Sequence, residues 1–217
     1  MNRGELEVET LLKLVLVIGL IALWLLDRIS TTGAGPNDAF FGLTVLCSAV
    51  YSLNVPVPAE VARLARDLAR RLPAARARER GDHTLVCKRL GTDDAGYHRV
   101  EARAREAVAG TIPFAVRVTG IDRFADAVTG SSPVVYLAVE SPGLERLHGH
   151  LCERFDPVPD LEGEEYTPHV TVARGGSPER ARELCGTGVE PVEWTVTALE
   201  FRDAERSQSV SVVSLPA

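Results

Sequence analysis

The chain has 217 residues, of which 45% are hydrophobic, and its formal net charge is −6 at pH 7. This length and composition predict one globular domain with an extension, and they exclude a chain that is disordered throughout. The acidic balance also argues against a broad nucleic-acid-binding surface, because phosphate contacts need clustered lysine and arginine. Any such contact should be confined to a cleft.

The first fifty residues differ in kind from the rest. Residues 11–29 are almost wholly apolar, which is about the ~20-residue length of a bilayer-spanning helix, and residues 39–53 form a second, shorter apolar run. A turn-like segment separates the two runs, so a hairpin of membrane helices is one interpretation. The alternatives are a buried apolar helix, or a true translation start at Val50, in which case the residues before it are not part of the protein. We therefore predict an apolar helical extension over 1–49 and a folded domain over 50–217.

Cysteine usage indicates the compartment of the folded domain. The four cysteines form no Cys-x-x-Cys pair, so neither a zinc knuckle nor a disulfide framework is indicated. A reducing cytoplasm is the expected location of this domain, with anchoring to a membrane through residues 11–29 left open.

Strand and helix patterns alternate beyond residue 50. Apolar residues recur at helical spacing before Pro73 and again after Pro142, and β-branched runs lie between turn residues. The predicted helices are 58–72, 93–109, 142–155 and 177–185. The predicted strands are 51–57, 83–90, 114–118, 134–139, 193–202 and 208–215, besides the strand of the motif below. Residues 156–167 are predicted to form an acidic, proline-containing loop that could cover a site.

The most informative stretch is His169-Val-Thr171-Val, which follows Tyr166-Thr-Pro168 and precedes Ala173-Arg174. Side chains alternate along a strand, so His169 and Thr171 point the same way. An imidazole that titrates near neutrality can exchange a proton, and a hydroxyl beside it can hydrogen-bond a phosphate oxygen. This strand is therefore predicted to carry catalytic groups on one face.

A second histidine begins a similar apolar run 86 positions earlier, at His83-Thr84-Leu85-Val86. Here the spacing is imperfect. If His83 corresponds to His169, Leu85 stands where the hydroxyl should be; if Thr84 corresponds to Thr171, Asp82 stands where the histidine should be. On a regular strand Thr84 would face away from His83, and only a β-bulge or a local twist could bring both to one site. We nevertheless predict His83 as the second catalytic residue.

Together these motifs resemble those of the 2H phosphoesterase superfamily, in particular its 2′-5′ RNA ligases and RNA 2′,3′-cyclic phosphodiesterases. The resemblance covers roughly residues 51–215 and implies an α+β bilobal fold, in which two pseudo-symmetric strand-helix lobes with mainly antiparallel sheets flank a central cleft. It also implies a function: opening of 2′,3′-cyclic phosphates on RNA or nucleotides to 2′-phosphomonoesters, with 2′-5′ RNA ligation as the reverse reaction. No cofactor, metal or protein partner is implied.

Site roles follow from the same resemblance. One of His83 and His169 would act as base and the other as acid, while Thr171, Thr84 and Arg174 would bind the phosphate. Tyr166 is a candidate contact to a base or ribose, although a tyrosine before a strand is as often a packing residue. Two alternatives remain open: a catalytically weak RNA-binding or nucleotide-binding module, and a membrane-tethered cyclic-nucleotide phosphodiesterase.

Overall fold

The computed structural model describes residues 51–79, 81–91 and 96–216, and the predicted extension over 1–49 lies outside them. No helix among these residues is long and apolar enough to cross a membrane. The elements in chain order are β1 Tyr51–Val55, α1 Ala59–Ala69, β2 Arg76–Ala77, β3 Leu85–Arg89, α2 Tyr97–Val108, β4 Phe114–Phe124, β5 Val134–Glu140, α3 Pro142–Cys152, a 3-10 turn at Gly163–Glu165, β6 His169–Arg174, α4 Pro178–Cys185, β7 Val192–Val196, β8 Ala198–Asp203 and β9 Gln208–Ser214.

Local sequence explains where the helices begin. Pro142 and Pro178 are the first residues of α3 and α4, where a missing N–H costs nothing. The serine before each of them accepts a hydrogen bond from the first turn, at 3.1 Å for Ser141 and 3.2 Å for Ser177. Each helix then buries one apolar stripe against the sheet, such as Leu144, Leu147 and Leu151 of α3.

All strand pairs in the described residues are antiparallel, in the order β7-β4-β5-β6-β3-β1-β8-β9, with β2 also pairing with β6. Strands β6 and β3 lie at the centre, where the two halves of the sheet meet. The predicted α+β fold with mainly antiparallel sheets is confirmed.

The predicted strand over 193–202 is instead two strands. β7 pairs with β4, whereas β8 pairs with β1 in the other half of the sheet. Only Thr197 separates β7 from β8, so the sheet must curl until its two halves approach each other. The alternation changes phase at this crossing, since Val196 is the buried residue of β7 whereas Leu199 and Phe201 are buried in β8.

Strand boundaries differ from the predictions at two further places. β4 continues to Phe124, past the predicted end at Val118, because a register shift between Val118 and Gly120 interrupts the alternation without ending the strand. β3 begins at Leu85, so His83 precedes the strand that it was predicted to start.

Candidate active site

The register of the two central strands decides which side chains share a face. Leu85 of β3 pairs with Val170 of β6, and both are fully buried in the helix-covered core. The next residues along each strand point to the opposite face, so Val86 lies across from His169 and Thr84 lies across from Thr171. We call this opposite face the cleft face.

Each central strand carries a bulge two residues beyond this pair. Asn54 and Leu53 are consecutive in β1 but pair with Val86 and Lys88, which leaves Cys87 as the extra residue of β3. In the same way, consecutive residues of β5 pair with Thr171 and Ala173, which leaves Val172 as the extra residue of β6. Relative to the Leu85–Val170 pair and the bulge that follows it, the segments Thr84–Arg89 and His169–Arg174 are therefore equivalent in position.

The bulges change which residues reach the cleft face. One inserted residue moves every following side chain to the other side of a strand. Lys88 is thereby turned into the core, where it is fully buried, and Arg89 and Arg174 both line the pocket that contains His169. Without its bulge, Arg174 would face away from His169, because five positions separate them.

Hydrogen bonding fixes the tautomer of His169. Its Nδ1 lies 2.7 Å from the carbonyl oxygen of Thr167, which can only accept, so Nδ1 carries the proton in the neutral ring. The Nε2 lone pair is left as the basic site. The ring packs edge-on to Phe124 at 5.2 Å and against Tyr136 at 5.1 Å, between ring centroids.

The surroundings of His169 favour its neutral form. Burial lowers its pKa, and the guanidinium groups of Arg89, Arg174 and Arg78 lower it further, against the opposing effect of the Thr167 carbonyl. A neutral imidazole at pH 7 can accept a proton. The same arginines place positive charge beside His169, although Asp126, Asp160 and Glu165 also line the pocket.

Pocket walls come from two loops. Residues 126–129 follow β4 on one side, and Asp160, Leu161, Glu165, Tyr166 and Thr167 lie on the other. Phe124, Val134 and Val86 add apolar surface between them. Arg174 is held to the first wall, since its Nη1 donates to the carbonyl of Thr129 at 2.9 Å.

The second wall is tied to the bulged part of β3. Lys88 forms a buried ion pair with Glu162, and Glu162 also accepts hydrogen bonds from the backbone N–H groups of Arg89 at 2.7 Å and Val158 at 3.0 Å. Although burial by itself would raise the pKa of Glu162, the Lys88 ammonium and these hydrogen bonds hold it below its usual value. Glu162 is therefore a buried carboxylate that fixes the loop.

His148 of α3 ties the same loop down a second time. Its Nδ1 donates to the carbonyl of Cys87 at 2.7 Å, and its Nε2 accepts from the backbone N–H of Gly163 at 3.0 Å. Tyr166 stacks on the His148 ring at 3.7 Å, and its hydroxyl donates to the carbonyl of Val86 at 2.6 Å. One face and the hydroxyl of Tyr166 are thus used in packing, while the residue still lines the pocket. Its predicted contact with a base or ribose stays a prediction.

The structure brings together some of the predicted site residues. His169, Arg174 and Tyr166 line one pocket, while Thr171 lies beside His169 on the cleft face, buried next to Tyr136. Thr84 faces Thr171 across the two strands, so its hydroxyl is on the side that a phosphate would need. The bulge of β3 follows Thr84 rather than preceding it, so it does not bring His83 to the same face.

His83 is not brought into the pocket. It lies in the connection before β3, where it is buried and does not line the pocket. Both ring nitrogens are buried without a hydrogen-bond partner among the described residues. Burial lowers the pKa of His83, and the positive charges of Arg66 in α1 and of Arg78 lower it further. By position, Thr84 corresponds to His169 and Val86 corresponds to Thr171.

Sequence reasoning missed Arg89 and Phe124, which line the pocket, and Tyr136, which packs against His169. Tyr136 was interpreted as a core residue, and it is buried, but it also packs against His169. Burial raises its pKa to about 12, with a further contribution from Asp122, so its hydroxyl keeps its proton. A comparison of Thr84–Arg89 with His169–Arg174 could have pointed to Arg89, since an arginine ends both. The described residues contain no cluster of three or more side chains suited to hold a metal ion.

Family membership agrees with this geometry. The sequence model of the 2′-5′ RNA ligase superfamily matches residues 84–208, which is more than half of the chain. The chain belongs to the 2′-5′ RNA ligase superfamily. This membership confirms the predicted resemblance to the 2H phosphoesterases, and it supports a function of phosphodiesterase or RNA-ligase type. The match begins at Thr84.

The chain also covers nearly the whole length of solved structures with this fold. TT0787 of Thermus thermophilus is 19% identical with a TM-score of 0.55, over 76% of this chain and 97% of that one. Escherichia coli LigT, in complex with 3′-AMP, is 15% identical with a TM-score of 0.56, over 77% of this chain and 98% of that one. At such low sequence identity, these structural similarities show a shared fold. No curated protein sequence matches the chain significantly.

Proposed function

We propose that this 2′-5′ RNA ligase superfamily member binds the phosphate-bearing end of an RNA or nucleotide and opens 2′,3′-cyclic phosphates to 2′-phosphomonoesters. The observation that carries the proposal is the state of His169, whose Nδ1 is committed to a carbonyl and which lines one pocket with Arg89 and Arg174. A base beside fixed positive charge suits attack on a phosphate. LigT in complex with 3′-AMP supports a nucleotide ligand for this fold.

The proposed reaction uses groups on the cleft face. Nε2 of His169 takes a proton from water as the water oxygen attacks phosphorus. The bond from phosphorus to the ribose 3′-oxygen then breaks, and the protonated imidazole returns its proton to that oxygen. Thr171 and Thr84 hydrogen-bond the non-bridging oxygens, and Arg174 balances their charge. Ligation of a cyclic end to an RNA hydroxyl follows the same path, with that hydroxyl attacking phosphorus in place of water.

His83 has no part in this proposal, in contrast to the prediction from sequence. Its position outside the pocket and its lack of polar contacts favour a structural role. A two-histidine mechanism therefore stands as the hypothesis that substitution of His83 tests.

The test is hydrolysis of an oligoribonucleotide ending in a 2′,3′-cyclic phosphate by the purified full chain in EDTA. The product is identified by phosphatase sensitivity and migration. We expect His169→Gln to lower kcat/KM by about a hundredfold or more, the usual contribution of a general acid or base. His98→Gln, at an exposed histidine of α2, is the matched control and should leave kcat/KM unchanged. Near-normal turnover in His169→Gln would contradict the proposal.

His83→Leu separates the two mechanisms. A loss of a hundredfold or more, comparable with that of His169→Gln and without loss of folding, would restore the two-histidine hypothesis. We expect a loss below tenfold, because the ring lies outside the pocket.

A nucleotide-binding module with weak catalysis is the second candidate. The observation that favours it is the pair Thr84 and Val86, which occupies the places equivalent to His169 and Thr171 and supplies neither a second imidazole nor a second hydroxyl at Val86. Binding of the same oligoribonucleotide with no detectable turnover by the unaltered chain would select this function over the phosphodiesterase.

A further inference from the structure

Two arginines flank His169 because of the paired bulges. Arg89 and Arg174 occupy equivalent places at opposite ends of the two central strands, and both line the pocket. Each arginine lies about three residue spacings beyond the Leu85–Val170 pair, because the bulge takes up one position, and the two directions are opposite. About six spacings therefore separate the two arginines, or roughly 20 Å between Cα atoms along a flat sheet. The side chains therefore approach His169 from opposite directions.

Each arginine is anchored to a different wall. Arg174 donates to the carbonyl of Thr129 in the loop after β4. The backbone N–H of Arg89 is held by Glu162 at 2.7 Å, while its guanidinium Nη1 is 3.5 Å from the same carboxylate oxygen. These contacts keep the two guanidinium groups on opposite walls.

The charge of Arg89 is only partly neutralised by Glu162. Glu162 is already paired with Lys88, whose Nζ is fully buried and 2.5 Å from the other carboxylate oxygen. One carboxylate thus faces two cations, and the Arg89 side chain, which is 28% exposed, lines the pocket with five N–H donors on its guanidinium. A guanidinium with free donors at a pocket wall is suited to bind an oxyanion in two-point fashion.

The hydroxyl pair separates the roles of the two arginines. Thr84 and Thr171 lie on the Arg174 side of His169, and Arg89 lies on the other side, beyond Val86. A phosphate held by His169 and Thr171 is therefore within the Arg174 half of the cleft. The Arg89 half is left for a different anionic group of the same ligand.

We infer that Arg89 binds a second phosphate group of the ligand, on the opposite side of His169 from the reacting phosphate. The inference rests on the proposed function for the site of the reacting phosphate. It specifies the substrate class as a nucleotide or RNA end that carries two phosphates, such as a terminal ribose with a phosphate on its 5′-oxygen beside the 2′,3′-cyclic phosphate.

The test compares two product-like probes, adenosine 2′-monophosphate and adenosine 2′,5′-bisphosphate, by calorimetric titration of the full chain. We expect the bisphosphate to bind roughly tenfold more tightly or better, the usual effect of one hydrogen-bonded charge pair. Arg89→Gln should reduce this preference to less than about threefold. Arg63→Gln, at an exposed arginine of α1, is the matched control and should keep the preference.

Equal affinities for the two probes in the unaltered chain, or no binding of the bisphosphate, would overturn the inference, and these results need no variant. An undiminished preference in a folded Arg89→Gln protein would overturn it as well. Because binding is measured without turnover, failure of the proposed function is distinct: an inactive chain that keeps an Arg89-dependent preference would refute the phosphodiesterase and leave the second phosphate site in place.

Discussion

Replacement of Lys88 by methionine should destabilise the protein strongly. Methionine keeps most of the side-chain volume but removes the ammonium group, which leaves the Glu162 carboxylate buried with only the backbone donors of Arg89 and Val158 and a marginal 3.5 Å contact to the Arg89 guanidinium. Breaking a buried ion pair from one side typically costs about 3–5 kcal/mol. For a chain of this size each kcal/mol corresponds to roughly 2–4 °C, so the Tm should fall by about 6–20 °C.

The assay is chemical denaturation of the full chain at pH 7. Two further variants separate charge burial from general damage. Lys88→Met combined with Glu162→Gln leaves no buried charge and should recover much of the loss. Arg180→Met breaks the exposed pair with Glu183 and should cost no more than about 1 kcal/mol. A loss below about 1 kcal/mol in Lys88→Met, or a double variant no more stable than the single one, would refute this reasoning.

Three other predictions concern the histidines and hydroxyls. His83→Leu should raise the free energy of unfolding by about 1–3 kcal/mol, because it removes two buried nitrogens that lack partners; denaturation that shows a less stable variant would contradict this. Burial lowers the pKa of His148 in the folded state, so the unfolded state binds more protons below about pH 6.5 and stability should fall as pH falls; denaturation midpoints across pH 5–8 check this, and His148→Gln should flatten the slope. Thr171→Val and Thr84→Val should each raise KM about tenfold or more if the hydroxyls bind phosphate. Thr195→Val, at an exposed threonine of β7, is the control and should leave KM unchanged. Equal KM values in all three variants would remove both hydroxyls from the site.

The motif strand β6 shows how far local sequence reaches. His169-Val-Thr171-Val was predicted as a strand with its histidine and hydroxyl on one face, and the structure has β6 at His169–Arg174 with both on the cleft face. The helices α3 and α4 also begin where their Ser-Pro pairs predict, since a cap involves only neighbours in the chain. Family membership followed from the same motif.

Arg89 and His83 show what lay beyond local sequence. Simple alternation from Leu85 places Arg89 in the core, and only the extra residue Cys87, seen through the pairing of β3 with β1, brings Arg89 to the pocket. His83 is a histidine at the start of an apolar run, which suggests an active-site strand, but β3 begins two residues later. Neither outcome is encoded within the motif itself.

The sequence by itself determined the family, the alternation of strands and helices, and the placement of His169 and Thr171 on one face of a strand, because residue type, spacing and capping act over a few neighbouring positions. The tertiary structure decided the crossing at Thr197, the two bulges and the side of the sheet on which each arginine lies. These depend on hydrogen bonds between strands far apart in the chain, and a one-residue slip in such a pairing exchanges the core face for the cleft face.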